Sequence, residues 1–228
     1  MTKVELALSA SARNAVCALH TAEGRIVCTP EDQRSAPTRG TDLVAQVQAL
    51  CVEAGVTVAE LQAIRADVGP GSYTGLRVAV TLARTLAAFG NVELSRFTSL
   101  ELLATTAWQH QLAPEHHELL VILDARRDHF HTARLALRDG VTALLTEPAA
   151  LDRKALLAAC EPSRTPTTIL AQDSLLARDD LAPHLRSIGT VQPLPVPAAR
   201  DLFAPQLSAN PCASQDLSPL YLMATYAD

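Results

Sequence analysis

The spacing of apolar residues changes period several times along the chain, and each change predicts an element. Apolar positions alternate or run together at Val4-Glu5-Leu6-Ala7-Leu8, Ala15-Val16-Cys17-Ala18-Leu19 and Arg25-Ile26-Val27-Cys28, with a turn at Thr21-Ala22-Glu23-Gly24. This is the pattern of a three-strand antiparallel meander. Thr29 to Thr38 is polar and proline-bearing, which predicts a surface loop. Leu43, Val44, Val47, Leu50 and Cys51 then recur at helical spacing, predicting a helix over Thr41–Ala54 that Gly55 stops. Ala63–Val68 reads as a strand, Leu76–Phe89 as a helix and Asn91–Leu94 as a short strand. Thr98 and Glu101 stand at capping-box spacing before a helix that runs to about Gln109.

The second half repeats the theme. Leu119–Leu123 is a nearly continuous apolar strand ending at Asp124-Ala125-Arg126-Arg127-Asp128. Phe130–Leu137 and Val141–Leu145 form a hairpin about Asp139-Gly140. A helix at Leu151–Cys160, a strand at Thr167–Ala171 and a helical stretch near Ser174–Leu185 follow. Pro193-Leu194-Pro195-Val196-Pro197 reads as a rigid linker, Ala198–Leu207 as a final helix, and Ser218–Leu222 as the last segment. A meander followed by alternating helices and strands therefore occurs twice, as an α/β duplication. The lobes are expected at 1–100 and 101–228, joined near residues 96–118, with the final helix near 198–207 placed to pack back on the first lobe.

Composition narrows the function classes. Apolar residues make up 48% of the 228 and charged residues 19%, which suits a packed core. No apolar run reaches the ~18 residues of a membrane helix, and the first residues lack the pattern of a signal peptide. Cys17, Cys28, Cys51, Cys160 and Cys212 are odd in number and widely spaced, as expected of reduced thiols in a cytoplasmic protein. A net charge of −5 argues against gripping nucleic acid alone.

Candidate chemistry concentrates at Gly69-Pro70-Gly71-Ser72-Tyr73-Thr74-Gly75, followed by Arg77, where three of the nine glycines fall within seven positions. A strand, a glycine-rich turn with hydroxyls and a helix start can make an anion cradle or a tight structural corner. The run lacks the G-x-x-x-x-G-K-[ST] and G-x-S-x-G patterns, and no base is tied to Ser72 or Thr74. In the helix that follows, Ala79, Ala83 and Ala87 form a row beside Leu76, Val80 and Leu86 that lets another helix approach closely, in the core or in a partner. His129 and His131 share one face of a strand beside Asp124 and Asp128, but no third His or Cys stands at ligand spacing. They read as partly exposed sheet residues, His116-His117 as solvated, and Asp124 with Arg126 as a local ion pair.

The two meander-led lobes resemble the actin/sugar-kinase/Hsp70 superfamily, an actin-like duplication of RNase H-like lobes. Within it, Gly69–Arg77 is similar to the GPGS[FY]TG[LV]R signature of the TsaB (YeaZ) family. Leu123-Asp124-Ala125-Arg126 resembles that family's strand-ending IDAR, and Pro219-Leu220-Tyr221-Leu222 its terminal P-x-Y-L. There are departures. Ser9 stands where the superfamily's nucleotide binders close the first strand with Asp, and no glycine falls between residues 1 and 23. Arg39 and Ala45 replace the family's His and Pro, and His129-Phe130-His131 its E-V-Y.

The resemblance implies a non-catalytic subunit in making threonylcarbamoyladenosine, the tRNA modification next to the anticodon. It would pair with a TsaD-like catalytic subunit and a TsaE-like ATPase, meet tRNA only indirectly, and form a homodimer when alone. The resemblance places its partner surface on the first two helices, with Leu43, Val44, Val47, Leu76, Ala79, Val80, Ala83 and Ala87 as contacts. No metal or cofactor is expected. The alternatives are a small nucleotide-binding ATPase or kinase-like protein, against which Ser9 speaks, and, last, a glycoprotease-like peptidase. Beside Ser9 and the alanine-faced helix, the glycine loop reads as the corner that aims an interaction helix.

Overall fold

The structure, a computed structural model, describes residues 3–12, 15–29, 40–160 and 164–223. The loop expected at Thr29–Thr38 lies outside the described residues from position 30 on, as does Arg39. The chain divides into two units, Met1–Ser99 with Ala198–Leu220, and Leu100–Pro197 with the last eight residues.

In the first unit, β1 (Glu5–Ser9), β2 (Val16–His20) and β3 (Ile26–Cys28) form the expected antiparallel meander. Helix α1 (Gly40–Ala54) leads to β4 (Ala63–Asp67), which lies parallel to β1 with Leu6 opposite Ile64 and Leu8 opposite Ala66. Helix α2 (Tyr73–Ala88) then leads to β5 (Glu93–Phe97), parallel to β4. Both α1 and α2 lay their apolar stripes on the sheet, so that Leu43, Val47, Leu50, Ala79, Val80 and Ala83 pack with Leu6, Leu8 and Ile64.

That core corrects the expected partner contacts. Leu43, Val47, Leu76, Ala79, Val80 and Ala83 are buried inside this unit, Ala83 at 0% exposure, and the small side chains bring α2 close to its own sheet. Ala87 is half-buried against the same core, and of the eight only Val44, 43% exposed, faces outward. The outer face of α2 carries instead Tyr73, Arg77, Thr81, Arg84 and Thr85, with Phe89 just beyond it and Val52 at the end of α1 strongly exposed.

Residues 198–220 belong to the first unit, so a second lobe running unbroken from 101 to 228 is corrected at its end. The expected helix Ala198–Leu207 is a short 3-10 turn, Ala199–Phe203, because Pro205 disfavours helical backbone at Ala204. Arg65 pins it: the guanidinium pairs with both Glu5 oxygens at 2.8 and 3.1 Å, donates to the Leu202 carbonyl and lies 4.9 Å over the Phe203 ring. A three-residue strand at Asn210–Cys212 adds to the edge of the sheet beside β5. The sequence pattern does not foresee it.

The second unit opens with α3 (Ser99–Gln109), whose first residue ends the first unit. Its sheet holds β6 (Glu118–Asp124), β7 (His129–Arg138), β8 (Val141–Leu144), β9 (Ala149–Asp152), β10 (Thr167–Ala171) and β11 (Thr190–Pro193). The order β8-β7-β6-β10-β11 repeats the first unit's β3-β2-β1-β4-β5 strand for strand and direction for direction. This is the duplicated two-lobed, actin-like architecture. Strand β6 buries both faces, as a covered central strand does. Leu119 and Val121 meet Leu100, Ala104 and Trp108 of α3. Leu120 and Ile122 meet Leu156, Leu175 and Leu185 of the helices α4 (Arg153–Ala159), α5 (Asp173–Leu176) and α6 (Ala182–Ile188).

Two expected helices change shape. Leu151 and Asp152 pair with β7, and the Asp152 carboxylate caps α4 through the Ala155 amide, so that helix starts two residues late. The stretch near Ser174–Leu185 is two helices, because Pro183 fits a first turn and not a helix interior.

Candidate functional site

The glycine loop follows β4 directly, and the residue that organises it is Asp67, which no motif in the sequence singles out. Asp67 is 0% exposed. Its Oδ2 accepts hydrogen bonds from the hydroxyls of Ser9 (2.7 Å) and Ser11 (2.6 Å). Its Oδ1 accepts from the Gly69 amide (2.8 Å) and the Ser99 hydroxyl (2.8 Å). A carboxylate has about four lone-pair positions, and all are engaged. Burial pushes this carboxyl above its ordinary range, and the bonds from Ser11, Ser9, Gly69 and Ser99 pull against that rise.

Much of the backbone around the loop is bound as well. Val68 donates to the Phe97 carbonyl at 3.0 Å and accepts from the Leu220 amide at 2.7 Å. The Gly69 carbonyl accepts from the Ser99 amide at 3.0 Å, and the Ser72 amide donates to the Ser11 carbonyl at 2.6 Å. The Ser72 side chain caps α2 by accepting from the Gly75 amide at 3.3 Å, so the helix begins at Tyr73, three residues earlier than its apolar spacing suggests. Gly71 and Gly75 are required by close approach: a Cβ on either would run into the carbonyl oxygen of Ser11 or Ala10. The loop thus lies pressed on the turn that follows β1. Pro70 completes it through a cis Gly69-Pro70 bond, Thr74 is exposed, and Arg77 stacks on Tyr73 with a 3.0 Å bond to its hydroxyl.

The distant Pro219–Leu222 segment meets this loop through Leu220, whose carbonyl also lies near Gly69. Ser9 takes part as a donor to Asp67 and not as an acid. The signal that points to Asp67 is an acidic residue closing an apolar strand, which needs donors once buried. The three hydroxyl donors lie 58, 56 and 32 residues away, so no local motif announces them.

In the second unit, Asp124 ends β6 exposed. It accepts from the Arg126 amide at 2.8 Å, so the expected contact with Arg126 runs through the backbone, while its own amide donates to Gln172 Oε1 at 2.7 Å. Arg126, Arg127 and Asp128 all have left-handed backbone, with φ of 69°, 51° and 57°. Arg178 pairs with Asp128 and Asp180 at 2.8 and 2.7 Å, and Arg153 with Asp180 at 2.9 Å, which holds the Asp180 carboxyl well below its usual range. His129 Nδ1 lies 2.9 Å from the Arg127 carbonyl, whereas His131 sits in the sheet opposite Leu123 and Ala150, its pKa lowered by burial. Among the described residues no three His, Cys, Asp or Glu side chains gather as a metal site, and no helix is long and apolar enough to cross a membrane.

A duplicated RNase H-like sheet with a glycine loop between β4 and α2 defines a two-lobed α/β protein of the actin-like class. A family model described as "TsaD: tRNA N6-adenosine threonylcarbamoyltransferase" matches residues 40–162, more than half of the chain. The chain belongs to this family. The tRNA threonylcarbamoyladenosine biosynthesis protein TsaB of Bacillus subtilis (strain 168) is 34% identical over 114 residues, 49% of this chain and 45% of its own length. The match therefore spans less than half of that relative. Two solved structures, YeaZ from Pseudomonas aeruginosa and an uncharacterized protein with similarity to peptidase YEAZ from the same organism, share the fold. Each is 22% identical with a TM-score of 0.76, covering 97% of this chain and 100% of the other.

Proposed function

We propose that this chain serves tRNA threonylcarbamoyladenosine biosynthesis as a non-catalytic subunit, pairing with a TsaD-like catalytic subunit and a TsaE-like ATPase and meeting tRNA only through them. The observation that carries the non-catalytic reading is the internal use of the glycine loop. Its amides at Gly69 and Ser72, its carbonyls at Val68 and Gly69, and the carboxylate beneath it all bond to other parts of the same unit. A loop so engaged works as a corner that launches α2. It binds no nucleotide or metal in this reading.

The partner surface moves accordingly to the outer faces of α1 and α2, with Val44, Val52, Arg84 and Phe89, and the same face pairs two copies when the chain is alone. Co-purification with the cognate catalytic subunit tests this. Arg84→Glu, on the exposed side of α2, is expected to lower capture while circular dichroism stays unchanged. Equal capture of variant and wild type would remove α2 from the interface, and failure of the wild type to pair would remove the partnership. Ala83→Glu cannot serve, because it buries an unpaired charge in the core.

A further inference from the structure

Asp67 does more than satisfy its own burial. Two of the three serines that its side chain holds also grip the glycine loop through their backbones. Ser11 gives its hydroxyl to Asp67 Oδ2 and takes the Ser72 amide on its carbonyl. Ser99 gives its hydroxyl to Asp67 Oδ1 and its amide to the Gly69 carbonyl. Gly69 closes the second ring by donating to Oδ1. Ala10 and Ser11 are also the floor against which Gly71 and Gly75 pack, so a shift of Ser11 moves the surface on which the loop rests. The loop ends in the Ser72 cap, where α2 begins.

We infer that Asp67 is the positioning residue of the glycine loop: it sets Ser11 and Ser99, and through them the loop conformation that fixes the entry of α2. No other side chain is bonded to both Ser11 and Ser99 among the described residues. The consequence for docking rests on the partner reading above; the consequence for the loop does not.

Amide exchange by NMR on the full chain separates positioning from general support. Asp67→Ala is expected to speed exchange at Gly69, Ser72 and Ser99 by about tenfold or more beyond any rise at the β6 and β10 amides. Asp67→Asn, with the same shape and an oxygen that can still accept from Gly69, should restore most of that protection. Ser11→Ala, which leaves the rest of the carboxylate's bonds in place, should speed exchange at Ser72 alone and carries the test should Asp67→Ala not fold. Capture of the catalytic subunit should fall with Asp67→Ala and return with Asp67→Asn. Unchanged exchange at the loop in these variants would overturn the inference. So would a uniform rise over both units, which is what lost stability alone produces. If wild type captures no catalytic subunit, the partner reading fails while the exchange pattern still decides the role of Asp67.

Discussion

In the first unit the central parallel pair β1/β4 ends with hydroxyls on β1 and its turn and an acid on β4, and Asp67 is buried under four donors from three stretches of chain. In the second unit the matching pair β6/β10 ends with an acid on β6, and Gln172 follows β10. There Asp124 is exposed and caps its own turn. Strand order and direction are the same in both, so the scaffold does not decide what the carboxylate does. Burial decides it. A carboxylate out of water must collect donors from wherever the fold can bring them, and so ties distant segments together. One left in water needs only a local amide.

The turns differ in the same sense. The first unit presses two glycines against backbone, whereas the second builds an exposed left-handed turn from Arg126, Arg127 and Asp128, where glycine would cost less.

The contrast can be broken most forcefully by truncating both acids. Asp67→Ala leaves three hydroxyls and an amide without their acceptor and is expected to cost about 3 kcal/mol, against under about 1 kcal/mol for Asp124→Ala. Denaturant unfolding checks this, and equal losses would deny the distinction.

A smaller effect sharpens the turns. Gly75→Ala must displace the Ala10 carbonyl and is expected to destabilise by about 2 kcal/mol. Arg126→Gly relieves a left-handed residue and is expected to stabilise by about 1 kcal/mol or less, so melting temperatures should move in opposite directions.

The smallest effect is in pH. Burial holds the Asp67 carboxyl above its ordinary range, so the folded chain keeps this proton to higher pH than the unfolded chain. Its contribution is whole below the ordinary carboxylate range and is lost as pH rises through the raised value. Asp67→Asn has no such proton to lose. Its melting temperature relative to wild type should therefore climb as pH rises above the ordinary carboxylate range, and a constant difference would contradict the shift.

Much of this architecture is legible in the sequence. Both meanders, the strand Thr167–Ala171 and the helix spacing of Leu43, Val47 and Leu50 follow from period alone. The strands at Ala149, Thr190 and Asn210 are three or four residues long, too short to show a period, and form because a neighbouring strand offers an edge. The glycine loop is legible because its residues are contiguous. Asp67 is not, because its meaning lies in partners brought together only by folding. The alanine row of α2 is legible as a close-packing surface, but spacing cannot tell an inward face from an outward one. The sheet beneath it takes the alanines, and Arg84 and Phe89 face solvent.

The central claim is that this chain supplies a surface and no chemistry. Its most direct test is reconstitution of tRNA threonylcarbamoylation with the cognate TsaD-like and TsaE-like proteins and a threonylcarbamoyl donor, with and without this chain. Modified tRNA should form only when this chain and the TsaD-like subunit are both present. Full modification without this chain, or modification by this chain with the TsaD-like subunit left out, would contradict the account.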